Sequence, residues 1–139
     1  TEGFLSLMKT NSEETMNRNL DQAIENKEVH MNCCQSVFCS QCEKFGISKS
    51  VAYHLGAFFN AGMRHGEVCG ACSGALMVLG MKYGDADNQK CKESLKFLKA
   101  FEEHFGTILC RDLVRKFGKP SCPTMIAFAT EYLEQHLNE

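Results

Sequence analysis

Hydrophobic residues recur at helical spacing along nearly all of the 139 residues, while prolines number only two and β-branched runs are scarce. Serine caps, glycine stops and one proline at a favoured first helical position mark the helix ends. The pattern therefore predicts an all-α, single-domain helical bundle of about six to seven helices over residues 1–139, with residues 1–11 as a candidate loosely held segment. The predicted helices cover residues 12–26, 31–44, 48–62, 69–83, 88–105, 111–117 and the chain from 121 onward.

The segment that starts near Cys69 is apolar on every side, which is typical of a buried helix and predicts a central one. Gly70, Gly74 and Gly80 interrupt it, each at a cost of about 1 kcal/mol relative to alanine. Such glycines are useful where a neighbouring helix or a cofactor must come very close.

Two other predicted helices carry apolar stripes that we expect to face the core. The stripe of the helix over 48–62 comprises Val51, Ala52, Leu55, Phe58 and Phe59. The stripe of the helix over 88–105 comprises Cys91, Leu95, Leu98, Phe101 and Phe105.

Composition excludes several function classes. The formal net charge of −2 and the absence of a clustered basic face argue against nucleic-acid binding. The longest apolar run, residues 75–81, is far too short to cross a bilayer, so we expect a chain that is not membrane-embedded. Nine cysteines are too few for a disulfide scaffold, and their number is odd. We therefore predict a cytoplasmic, reducing location in which the thiols serve reactivity or metal binding.

Three cysteines fall at or next to predicted helix starts, namely Cys69, Cys110 and Cys122. Unpaired backbone N–H groups at a helix start stabilise a thiolate, the form that attacks disulfides and binds metals. Cationic neighbours, Arg111 and Lys119, lie close in sequence to two of them. Each of the three cysteines taken alone is equally well explained as a small buried residue.

The chain contains two CxxC pairs, Cys69/Cys72 and Cys39/Cys42. The second pair is predicted on a weakly buried helix side, with Cys39 the most exposed cysteine, and is compatible with chance. Structural zinc held by both pairs is disfavoured, because the stretch between them exceeds the roughly 15–20 residues of compact zinc modules.

The remaining cysteines and one histidine have plain alternatives. Cys34 and Cys91 lie on apolar stripes and are expected in the core, while Cys33 is expected at the edge of a buried face. His65, in a glycine-rich loop before Cys69, is a candidate for tuning that thiol or binding a metal; the alternative is a solvated loop histidine.

An ordered set of short motifs resembles a known family. The set comprises Asn32-Cys33, Gln35-Ser36-Val37, Gly62-Met63, the run over residues 67–80 with its CGAxxG segment, and Tyr83-Gly84. It is similar to the redox-active proteins known as the C-GCAxxG-C-C family, over about residues 19–137. The resemblance implies that the four shared cysteines are Cys33, Cys69, Cys110 and Cys122. Cys34, Cys39, Cys42, Cys72 and Cys91 are then additions in this member.

The first functional hypothesis is a redox-active protein with an iron–sulfur cluster bound by Cys33, Cys69, Cys110 and Cys122, serving electron transfer or redox sensing. Gly70 and Gly74 would let the central helix approach that cluster. The second is thiol–disulfide exchange by an oxidoreductase in which Cys69 attacks and Cys72 resolves.

Two further hypotheses stay open. One is a metal-binding or delivery module for Cu(I) or zinc, consistent with the transporter genes that the resemblance places near family members. The other is a helical interaction protein with incidental cysteines. A redox partner protein, association with a transporter and a homodimer are the partners expected.

Overall fold

The computed structural model describes residues 22–23, 31–84, 92–118 and 122–137. Within those ranges it confirms the predicted all-α bundle, with an isolated bridge between Val68 and Leu109 as its β-type pairing. Helices α1 to α6 span Cys33–Gln41, Lys49–Leu55, Gly70–Tyr83, Lys92–Phe105, Cys110–Phe117 and Cys122–His136. Of the predicted helix over 12–26, only residues 22–23 are described, and they are helical. Residues 1–11, the predicted start of the helix over 88–105, and Cys91 lie outside the described residues.

Helix α1 begins with a capping box. The Asn32 side chain accepts a hydrogen bond from the Gln35 N–H at 2.8 Å, and the Gln35 side chain accepts one from the Asn32 N–H at 2.9 Å. This reciprocal pair satisfies two N–H groups that would otherwise be unpaired at the helix start. After Gln41 the backbone continues as a 3₁₀ turn, Cys42–Phe45, and this turn ends at Gly46.

Helix α3 is the predicted central helix, and it packs most extensively against α1. Two of its glycines explain how close the two helices come. A Cβ atom at Gly74 would lie 2.6 Å from the Cys34 carbonyl oxygen, and one at Gly70 would lie 3.1 Å from the Cys33 Cβ. The third glycine differs from the prediction, because Gly80 is exposed with nothing within 4 Å of the same position.

Helices α1, α3 and α6 run in the same direction. At their ends, Gln41 of α1 donates to Glu134 of α6 at 3.0 Å, and Lys82 of α3 donates to the carbonyl of Leu137 just after α6. At their starts, Gly70 lies against Cys33. Since α3 and α6 have 14 and 15 residues, about 21–23 Å each, the start of α6 comes to the same end as those of α1 and α3.

Helix α4 packs antiparallel to α6 through aromatic rings. Phe97 meets Tyr132 with ring centroids 5.0 Å apart, and Phe101 meets Phe128 at 5.7 Å. Both phenylalanines are fully buried. This ring ladder brings the end of α4, and the connection to α5, toward the end of the bundle where α1, α3 and α6 start.

Two predicted apolar stripes are corrected by the structure. The helix expected over 48–62 ends at Leu55, and of its stripe Ala52 is buried whereas Val51, Leu55 and Phe58 are exposed. In α4, Leu95 is 64% exposed and Phe97 takes the inward position. In both cases neighbouring helices, rather than the local periodicity, decide which face is covered.

None of the helices in the described ranges has the length and apolar character needed to traverse a bilayer.

Candidate functional site

The four shared cysteines all lie at helix starts. Cys33, Cys110 and Cys122 are the first residues of α1, α5 and α6, and Cys69 is the N-cap of α3. Three of these helices run in parallel with their starts at one end of the bundle. The structure thus gathers the positive ends of several helix dipoles at the end that carries these thiols, which favours thiolate forms.

A left-handed turn and the isolated bridge place Cys69. Ala61, Met63 and Arg64 have φ between 51° and 61°, and Gly62 lies in the same region at 62°. The turn is closed by the Glu67 N–H, which donates to the Gly62 carbonyl at 3.0 Å. A left-handed backbone conformation costs roughly 1–2 kcal/mol for each residue with a side chain. Contacts elsewhere must therefore stabilise this turn.

The bridge supplies those contacts. The Cys69 N–H donates to the Ile108 carbonyl at 2.8 Å, and the Cys110 N–H donates to the Glu67 carbonyl at 2.6 Å. Glu67 also forms an ion pair with Arg111 at 3.4 Å. Backbone pairing therefore fixes the starts of both α3 and α5.

The environment of Cys69 lowers the pKa of its thiol. The largest cause is the neighbouring Cys72 thiol, which interacts with the Cys69 sulfur; burial opposes it, and the N–H groups of Ala71 and Cys72 then favour the thiolate. Cys69 makes no aligned capping hydrogen bond, so we attribute the N–H effect to their partial charge at the helix start. The Cys122 thiol is close enough that its charge raises the Cys69 pKa slightly.

Cys72 has the opposite character. Its interaction with Cys69, its burial and the charge of Cys69 all raise the pKa of Cys72 well above the usual thiol range. Cys69 is 6% exposed and Cys72 is fully buried. The CxxC segment thus combines one thiol that ionises readily with one that keeps its proton.

The side of Cys69 that faces α1 is filled by protein. Cys33 and Cys34 lie against Gly70, and the Cys34 thiol contacts the Met77 sulfur at 3.9 Å. Burial, followed by the charges of Cys39 and Cys69, raises the pKa of Cys34 to about 12. The prediction that Cys34 is a core residue is confirmed. The space left by Gly70 and Gly74 is occupied by α1.

The described residues contain no group of three or more histidine, cysteine, aspartate or glutamate side chains arranged to hold a metal ion. Cys33 and Cys69 are buried, whereas Cys110 and Cys122 are half-buried. The four helix starts share one end of the bundle, but their thiols in this arrangement do not form a metal-ligand set. The cluster bound by Cys33, Cys69, Cys110 and Cys122 stays a prediction. His65 is exposed on its loop.

The second CxxC pair corrects a prediction. Cys39 was expected to be the most exposed cysteine, yet it is 1% exposed, and Cys42 is fully buried. Helix α1 is covered on all sides, since eight of its nine residues are buried. Burial is also the largest cause that raises the pKa of both thiols, that of Cys39 to about 11.

Besides the capping box of α1, two features were not predicted from the sequence. One is the buried polar cluster in which Glu134 accepts from Gln41 at 3.0 Å and from Lys44 at 2.9 Å, and the other is the left-handed turn before Cys69. The capping box had a local signal, an asparagine followed three residues later by glutamine. The polar cluster joins residues about 90 positions apart and had none.

Comparison with known proteins identifies one family. The sequence model of the family described as "Putative redox-active protein (C_GCAxxG_C_C)" matches residues 31–136, which is more than half of the chain. No curated protein and no solved structure gave a significant match.

Proposed function

We propose that this chain, which belongs to the C_GCAxxG_C_C family of redox-active proteins, acts through a reactive dithiol formed by Cys69 and Cys72. The observation that supports the proposal is the placement of Cys69 and Cys72 in the first turn of α3, where the two thiols interact and their pKa values shift in opposite directions. A thiolate that forms at lower pH attacks, and a protonated neighbour is held ready to resolve.

The first step consumes a disulfide, R–S–S–R. The Cys69 thiolate attacks one sulfur, a Cys69–S–S–R bond forms, the R–S–S–R bond breaks and one RS⁻ leaves. Positions three apart face each other on a helix, so Cys72 lies beside the new bond. The step needs no reactant other than the protein thiol and the substrate disulfide.

The second step follows from the causes of the Cys72 pKa. Two of the three causes that raise it come from Cys69, the largest being the interaction of the two thiols. Once the Cys69 sulfur is bonded to R, it no longer accepts that thiol proton or carries charge, and the pKa of Cys72 falls. Cys72 then loses its proton to the departing thiolate and attacks the Cys69 sulfur. The products are a Cys69–Cys72 disulfide, one RSH and one RS⁻, and the RS⁻ takes up from water the proton that Cys69 gave up on ionising.

The test is equilibration of the reduced protein with glutathione buffers, followed by disulfide mapping by mass spectrometry. We expect wild type to form the Cys69–Cys72 disulfide, Cys72→Ser to stop with Cys69 in a disulfide with glutathione or with another thiol of the chain, and Cys69→Ser to leave Cys72 without a disulfide. Cys42→Ser is the matched control, because it removes the second cysteine of the other CxxC pair and should leave the reaction unchanged.

The proposal fails if Cys69→Ser releases two thiol equivalents at the wild-type rate, because the attacking thiol is then absent. Iron and acid-labile sulfide in anaerobically purified protein, lost in the Cys110→Ser variant, would instead support the cluster hypothesis, since Cys110 takes no part in the dithiol steps.

A further inference from the structure

Access to the dithiol is restricted. Cys69 is 6% exposed, Cys72 is fully buried and α1 fills the neighbouring side through Cys33 and Cys34. Thiol–disulfide exchange needs the attacking sulfur to approach along the axis of the disulfide bond. A bulky disulfide therefore reaches a more exposed thiol more readily than it reaches Cys69.

Cys122 is such a thiol. It is the first residue of α6, it is half-buried, and it packs against the apolar core that contains Cys69. The parallel course of α3 and α6 brings Cys122 and Cys69 to the same end of the bundle. The charge of Cys122 also acts on Cys69, which agrees with that placement.

Cys110 is also half-buried and is also the first residue of its helix. It lies diagonally across the bridge from Cys69, because its N–H bonds to Glu67, whereas the Cys69 N–H bonds to Ile108. Cys122 differs from it in packing against the apolar core that contains Cys69. Cys110→Ser therefore tests whether entry belongs to Cys122 or to the second half-buried thiol at this end of the bundle.

We propose that Cys122 is the entry thiol of this protein: it takes up bulky disulfides, such as those of glutathione or of protein substrates, and passes the disulfide inward to Cys69. The inference rests on the proposed function of the Cys69–Cys72 dithiol.

Three exchanges complete the route. The Cys122 thiolate attacks RSSR, so that Cys122–S–S–R forms and RS⁻ leaves. The Cys69 thiolate attacks the Cys122 sulfur, which forms a Cys69–Cys122 bond between α6 and the start of α3 and releases the second RS⁻. Cys72 then attacks Cys69, forms the Cys69–Cys72 disulfide and returns Cys122 as a thiolate. One disulfide is reduced and one dithiol is oxidised, with the Cys72 proton passing to a departing thiolate.

The experiment follows reduction of oxidised glutathione by reduced full-length protein, with quenched samples digested by trypsin. We expect Cys122→Ser to slow reduction at least tenfold and Cys110→Ser to leave the rate within twofold of wild type. In Cys72→Ser we expect the tryptic peptide 65–82 to be linked to the peptide that contains Cys122. In Cys69→Ser we expect glutathione to remain on Cys122.

A Cys122→Ser variant that forms the Cys69–Cys72 disulfide at the wild-type rate overturns the entry role and leaves the dithiol intact. Wild-type protein that forms no such disulfide overturns both proposals. Serine is favoured at helix starts, and thermal unfolding of Cys122→Ser and Cys122→Ala separates a change in rate from a change in folding.

Discussion

The two CxxC pairs have the same spacing and similar burial but opposite chemistry. Cys69 and Cys72 open α3, and the pKa of the first thiol is lowered; Cys39 and Cys42 close α1, and both of their pKa values are raised. Burial acts in the same direction at Cys69 and Cys39. It is outweighed at Cys69 by the Cys72 thiol and by N–H groups of the helix start.

The CxxC motif alone therefore does not define a reactive thiol in this protein. At the end of α1 the charge of Lys49 lowers the pKa of Cys39, but its effect is smaller than those of burial and Cys42. The Cys39 thiol instead points to a backbone carbonyl, that of Lys49, at 3.9 Å. A carbonyl accepts a hydrogen bond from a thiol but cannot stabilise a thiolate. Both Cys39 and Cys42 therefore stay protonated at neutral pH.

The largest expected effect is on alkylation rates. Only the thiolate reacts with iodoacetamide, and its fraction rises with pH up to the pKa. With the pKa of Cys69 below 9.0 and that of Cys39 at about 11, we expect Cys69 to react roughly 100-fold faster or more near pH 8. The Cys69 rate should reach half of its plateau below pH 9, while the Cys39 rate still rises. Mass spectrometry of each labelled peptide measures both.

Paired variants sharpen this result because their effects have opposite signs. Cys72→Ala removes the largest cause that lowers the Cys69 pKa, so Cys69 should react more slowly at neutral pH. Cys42→Ala removes a charge that raises the Cys39 pKa, so Cys39 should react faster at alkaline pH, where Cys42 ionises. Equal labelling of Cys69 and Cys39 in the folded wild type would contradict the comparison.

A smaller effect is expected at the contact between α1 and α3, which the two regions share. Gly74→Ala places a Cβ 2.6 Å from the Cys34 carbonyl, and we expect the backbone shift to lower the free energy of unfolding by about 1–3 kcal/mol. Gly80→Ala is the matched control in the same helix; with open space at that position it should raise stability by up to about 1 kcal/mol. Urea unfolding of both variants tests the contrast, and equal stabilities would refute it.

The smallest effect concerns stability at alkaline pH. Cys39 has a folded pKa of about 11 against an ordinary value of 9.0, so the unfolded chain loses this proton first as the pH rises. Its contribution is fully present below pH 9 and is lost toward pH 11, at about 1.4 kcal/mol per pH unit. Cys69 has the opposite effect on stability, because its pKa is lower in the folded chain than in the unfolded chain. Its contribution is present above pH 9 and is lost as the pH falls through the folded pKa.

Urea unfolding across this pH interval separates the two thiols. Cys39→Ala should show a shallower loss of stability between pH 9 and 11 than wild type. An unchanged slope would mean that Cys39 ionises alike in the folded and unfolded chain.

The sequence predicted the bundle and its central helix because apolar residues occur on every side of the segment that forms α3. It also placed Cys69, Cys110 and Cys122 at helix starts, where caps and glycines mark the ends locally. It could not predict the exposure of Cys39 or of Val51, because those depend on which helices cover α1 and α2. Nor could it predict that α3 and α6 run in parallel, which is set by contacts between distant residues such as Lys82 and Leu137.

The left-handed turn before Cys69 restricts which sequences can encode this fold. At positions 61, 63 and 64 the backbone suits glycine or asparagine better than the alanine, methionine and arginine that are present. A β-branched residue there would meet its own backbone, so valine and isoleucine are excluded by shape alone. Relatives should therefore carry small or amide side chains at these three positions. They should lack β-branched residues there, even though the loop is exposed.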